Sequence, residues 1–200
     1  LVFEILLSMP CFAAGVSIDI DIIDKNGKHS AYHDDIKKCL SAAMKIIADE
    51  MDIVTNVRIK ALVEIATKEE YPGMAGGGGA QSICYMLKRA DPSGNIYMQG
   101  LHAAIVSPDF KCYTTYHFKF IINNELLKNR LWFDPEPYAR KKEIPPGNMV
   151  DALSMFMHEI LHSLAFNGWL NNKTGKSISV NGAKSVYDEN IIMKDGQLYF

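Results

Sequence analysis

Two histidines four residues apart, with a glutamate beside the first, occupy His158-Glu159-Ile160-Leu161-His162. On an α-helix positions i and i+4 lie one turn apart on one face, close enough for two imidazoles to share one metal ion. His158 and His162 are therefore the candidate metal ligands. Glu159 stands beside that face, where its carboxylate reaches a metal-activated water without acting as a ligand. This is the arrangement that metal-assisted hydrolysis requires, and it makes Glu159 the candidate general base.

The helix that must carry the pair is legible around it. Leu153, Met157, Ile160 and Leu164 follow a core spacing and point away from the histidines, giving an apolar back and a metal-binding front. Pro145-Pro146-Gly147 breaks the chain, and Asn148 is the expected N-cap, with Asp151 three positions on as a capping-box acid. Asn167-Gly168 is the expected stop. Upstream, 16–22 and 57–65 alternate apolar and polar residues as half-buried strands, flanking a helical pattern from Ser30 to about Met51 with Ile36, Leu40, Ile47 and Met51 on one side. His29 and His33 repeat the i, i+4 spacing without an intervening glutamate and read as surface residues. Further strands are expected at 98–106, including His102, and at 116–122. The stretch from Tyr71 to Gly79, ending in four glycines, reads as a flexible loop, since no Gly-Lys-Ser/Thr follows to make it a phosphate cradle. The whole is an α+β arrangement with one sheet on two helices. Its expected edge, open to an extended peptide, is Phe118 to Asn123.

Nearly half of the 200 residues are hydrophobic, enough for a sizeable core in a single domain over 15–200, whose C-terminal lobe the sequence leaves open to being incomplete. The net charge of −2, without a dense basic run, excludes a nucleic-acid partner. No apolar stretch reaches the roughly 18 to 20 residues of a membrane span. Residues 1–14, an apolar run with Pro10 and the small Ala13 and Ala14, read as the tail of a truncated signal peptide, so a secreted monomer is expected. In an oxidising compartment Cys84 and Cys112 are the favoured disulfide pair of the four cysteines.

With the motif and the order of strands and helices in hand, residues 16 to 170 resemble the zincin metallopeptidases, on the metzincin side, and among them secreted matrixin-like and leishmanolysin-like proteins. The resemblance implies a mixed twisted sheet of about four to five strands packed on a long helix and the active-site helix. It also implies a Zn2+ ion on His158 and His162, Glu159 as general base, and a protein or peptide substrate. The chain departs from the longer signature His-Glu-x-x-His-x-x-Gly-x-x-His. Ala165 replaces the glycine, Gly168 replaces the third histidine, and no histidine follows His162. The third ligand is expected beyond Phe200, with a carboxylate, Asp188 or Glu189, as the alternative. Three functions stay open: a secreted zinc-dependent endopeptidase, a non-catalytic secreted binding protein on the same scaffold, or a hydrolase acting on something other than peptides, since helix-borne zinc activates water for any electrophile.

Overall fold

The computed structural model describes residues 15–25, 27–51, 53, 56–72, 78–90, 92, 94–107, 109–139, 143–171, 173–190, 192–194 and 197–199. The expected signal segment 1–14 lies outside them. The described chain is a mixed α+β protein with four α-helices.

Its main sheet contains β1 (Val16–Ile23), β2 (Val57–Ala66), β3 (Gly78–Ser82) and, later in the chain, β6 (Phe118–Asn123), in the order β1-β2-β6-β3. β1, β2 and β6 run parallel, while β3 lies antiparallel to β6 with Ala80 opposite Phe120. Between β1 and β2 runs the long helix α1 (His33–Glu50), as the parallel pairing of those strands demands a crossover connection. The alternation in β2 is borne out at its start: Val57, Ile59, Ala61 and Val63 are buried, and Arg58 and Lys60 are exposed.

One face of the sheet is covered by α1 and by α4 (Ala152–Ser163), which also pack on each other. Ile36, Leu40, Met44 and Ile47 of α1 meet Ile59 and Val63 of β2, Phe118, Phe120 and Ile122 of β6, and Leu153, Phe156 and Ile160 of α4 in one core. Phe120 and Phe156 form its aromatic centre, edge to face at 4.9 Å.

Before β6 come β4 (Tyr85–Arg89), β5 (Ile96–Gln99) and the short helix α2 (Gly100–Val106). β4 and β5 join β9 (Lys184–Ser185) in a second sheet. After β6, the helix α3 (Asn124–Asn129) leads to β7 (Leu131–Trp132), which pairs with β8 (Val150–Asp151) and delivers the chain to α4. β10 (Ile192–Lys194) and β11 (Gln197–Tyr199) form a terminal hairpin.

Several expectations are corrected. The strand expected over 98–106 is a strand only to Gln99, after which Gly100 opens α2 and carries His102 onto a helix. Phe118 to Asn123 is an interior strand, and the edge is β3, which begins in the glycine run read as a loop. Gly-Gly-Ala-Gln-Ser offers neither alternation nor β-branched residues, so the strand left no pattern in the sequence. His29 is buried rather than on the surface: its N–H donates to Asp24 Oδ2 at 2.8 Å, and its Nδ1 lies 3.3 Å from Oδ1. Burial opposes the charge on Asp24, but the bonds from His29, helped by His33, outweigh it and hold the carboxyl below its usual value. No described helix is long and apolar enough to cross a membrane.

Candidate metal centre

α4 starts one turn later than the sequence suggests. Asp151 is itself the N-cap, its carboxylate accepting from the N–H groups of Leu153 and Ser154, both at 3.2 Å, while Pro146 and Gly147 belong to a preceding turn. The pairing of β7 with β8 fixes Asp151 in place. The buried stripe is also rotated from the expected one: Leu153, Phe156 and Ile160 are fully buried, and Met157 is only partly so. His158 remains exposed on the opposite side, with His162 and Glu159 half-buried.

The helix ends three residues before the expected Asn-Gly stop. Ala165 takes φ +82° at its C′ position, the Ala165 N–H donates to the His162 carbonyl at 3.3 Å, and the Phe166 N–H donates to the Leu161 carbonyl at 3.1 Å. Those two bonds around a left-handed residue make a Schellman motif, usually built on glycine. The sequence position that carries glycine in the longer signature thus keeps the glycine conformation with an alanine in it.

This turn has a direct effect on the histidine pair. It brings the Phe166 carbonyl to 2.9 Å from His162 Nδ1, which must donate to it. A proton fixed on Nδ1 leaves the His162 Nε2 lone pair free for a metal, the usual outer-shell arrangement for a ligating histidine. His162 Nε2 lies 3.1 Å from His158 Nε2, with the two rings nearly perpendicular at 86°. Two nitrogens each about 2.0–2.1 Å from a tetrahedral zinc stand roughly 3.3 Å apart, so the pair is spaced to fit that ion.

Glu159 is held from the sheet. The Ala80 N–H of the edge strand β3 donates to its Oε2 at 2.8 Å, so the carboxylate sits between the histidine helix and the sheet edge. A cavity of about 320 Å³ opens over β3, lined by Tyr71, Pro72, Gln81 and Ile121 of the interior strand β6. One wall is braced by a half-buried network, in which Tyr71 donates to Glu64 at 2.8 Å and Lys119 donates to Tyr71 at 2.9 Å. Burial disfavours the charge of Lys119, but its bonds to Tyr71 and Glu64 more than compensate and raise its pKa.

The alternative third ligands are engaged elsewhere. Asp188 is buried and accepts from the Trp169 N–H with both oxygens at 3.0 Å, and from the Ser185 N–H at 2.7 Å. Glu189 pairs with Lys88 at 2.7 Å and Arg89 at 3.2 Å. Among the described residues no cluster of three His, Cys, Asp or Glu side chains forms a metal site, so neither carboxylate joins the two histidines. The sequence singled out both histidines, Glu159 and, in place of the signature glycine, Ala165, but not Ala80 or Phe166, which act through main-chain groups that any side chain would leave unmarked. The chain matches no protein-family model, no curated protein and no solved structure.

Proposed function

We propose that the protein is a zinc-dependent endopeptidase on a zincin-like scaffold, working as a monomer on protein or peptide substrates outside the cell. The observation that carries this reading is the convergence of His158 and His162 through their Nε2 atoms at 3.1 Å, with His162 locked in the ligating tautomer by Phe166. In this reading His158 and His162 hold the ion, and a third protein ligand comes from outside the described residues. Bound there, zinc lowers the pKa of water towards 7 and polarises a carbonyl oxygen.

The chain's own groups do the rest. Glu159 takes the proton of the attacking water and passes it to the leaving amine. Its bond to Ala80 holds the carboxylate at the level of β3, the edge along which an extended peptide can add as a further strand. The cavity by Tyr71 and Ile121 lies over that same strand and would receive a substrate side chain. The Cys84–Cys112 disulfide supports an extracytoplasmic site of action.

The test compares wild type, His162→Ala and Glu159→Gln for zinc content by elemental analysis and for hydrolysis of a fluorogenic peptide library. Zinc should be present in wild type and in Glu159→Gln, whose amide oxygen can still accept from Ala80, and absent from His162→Ala. Loss of the general base should slow hydrolysis by about 10²–10⁴-fold. A Glu159→Gln protein as fast as wild type, or a His162→Ala protein that keeps its zinc, would overturn the reading.

A further inference from the structure

A second pocket, of about 350 Å³, opens on the β4-β5-β9 sheet, built by residues that the metal centre does not use. Its walls are aromatic. Trp169 meets Tyr85 edge to face at 5.5 Å and Tyr97 at a tilt of 36° and 6.5 Å, and Tyr113 adds a rim that is 71% exposed. Asn95, Asn181 and Ala183 complete the described lining, and among the described residues no charged side chain contributes to it.

Three independent restraints hold these walls. The Cys84–Cys112 disulfide joins the residues immediately before Tyr85 and Tyr113. The buried Asp188 carboxylate binds the Trp169 N–H with both oxygens and ties it to Ser185 of β9. The two asparagine loops touch through glycine: a Cβ on Gly94, which has φ +128°, would lie 2.0 Å from the Gly182 carbonyl oxygen, so only glycine permits that approach. The Lys184 N–H donates to the Asn95 carbonyl at 2.9 Å and closes the same seam. Walls fixed in this way need little ordering when a ligand enters.

We propose that this pocket binds one pyranose ring of a neutral glycan. Aromatic faces pack against the apolar C–H face of such a ring, and amides supply both donors and acceptors for its hydroxyls. A quaternary ammonium would use the aromatic faces but make no use of the amides, and among the described residues the lining offers no counter-ion. A volume near the low end of small-molecule sites, roughly 300–1,000 Å³, suits one or two sugar rings.

Cellobiose, N,N′-diacetylchitobiose, lactose and mannobiose, with choline as the cationic probe, would be titrated into the purified protein by isothermal calorimetry and saturation-transfer NMR. At least one disaccharide should bind saturably, with one site per chain. Tyr113→Ala and Asn181→Gly, both at exposed positions and the second suited to the φ of +74° found there, should weaken it at least tenfold with unchanged urea midpoints; Trp169→Ala should abolish it. Binding should survive EDTA and Glu159→Gln, which separates this site from the metal centre. No saturable sugar binding up to about 10 mM, sugar binding indifferent to Tyr113→Ala and Asn181→Gly, or a preference for choline over every sugar would each overturn the proposal.

Discussion

Ala165 holds a conformation that a Cβ disfavours, and it does so where the backbone must reverse to place the Phe166 carbonyl on His162. Ala165→Gly should therefore stabilise the fold by about 1 kcal/mol, read as a higher urea midpoint at unchanged slope, with the histidine pair intact. A lower midpoint would mean that the alanine methyl contributes more in its buried setting than its backbone costs. His117 and His102 set a pH response. Burial lowers the pKa of both, with the charge of Lys60 adding to the effect at His117 and that of Lys88 at His102. The Lys60 N–H also donates to His117 Nδ1 at 3.0 Å, a bond that only the unprotonated nitrogen can accept. The unfolded chain takes up protons near the ordinary histidine value of about 6.5 while the folded chain does not. Stability should thus be full above that pH, fall as the pH drops towards the lowered folded values, and level off below them. Urea midpoints between pH 7.5 and 5 should show this slope, and His117→Gln should flatten it. At this scale the sequence marked the groups proposed to carry chemistry, His158, Glu159 and His162, because their types and spacing define the proposal. It could not mark Phe166 or Ala80, which act through main-chain atoms.

The helices and strands show the same division. α1 and α4 were legible because each buries one face against a sheet, which imposes a helical period on the sequence. The stripe on α4 was misjudged by one residue: Met157 and Phe156 are both apolar, and only the partner Phe120 decides that the phenyl ring faces inward. Phe156→Ala should lower stability by about 3–5 kcal/mol, whereas Met157→Ala should lower it by clearly less, as chemical denaturation of the two variants would show. Equal losses would contradict the assigned rotation of α4. The edge strand β3 was invisible for the opposite reason. Its glycines have no side chain to alternate, and it is held in place by β6 on one side and by a single helix carboxylate on the other.

Across the whole molecule, the α+β class and the single main sheet on two helices could be read from the order of periodicities, and the Cys84–Cys112 pair from the placing of the cysteines. The second sheet could not, because β9 comes from the far end of the chain to lie beside β5, and nothing local announces a pairing between residues so distant in sequence. The contact between Glu159 and Ala80 has one more consequence, for how the molecule behaves among its own copies. A sheet edge with an unclaimed N–H is a template for another chain, and proteins guard such edges with charge. Glu159 is placed to be that guard for β3. Glu159→Ala, the usual choice for silencing a site of this kind, should therefore increase concentration-dependent self-association in light scattering or sedimentation, while Glu159→Gln should not. The residue proposed to do the chemistry is then also the one that keeps the protein apart from itself.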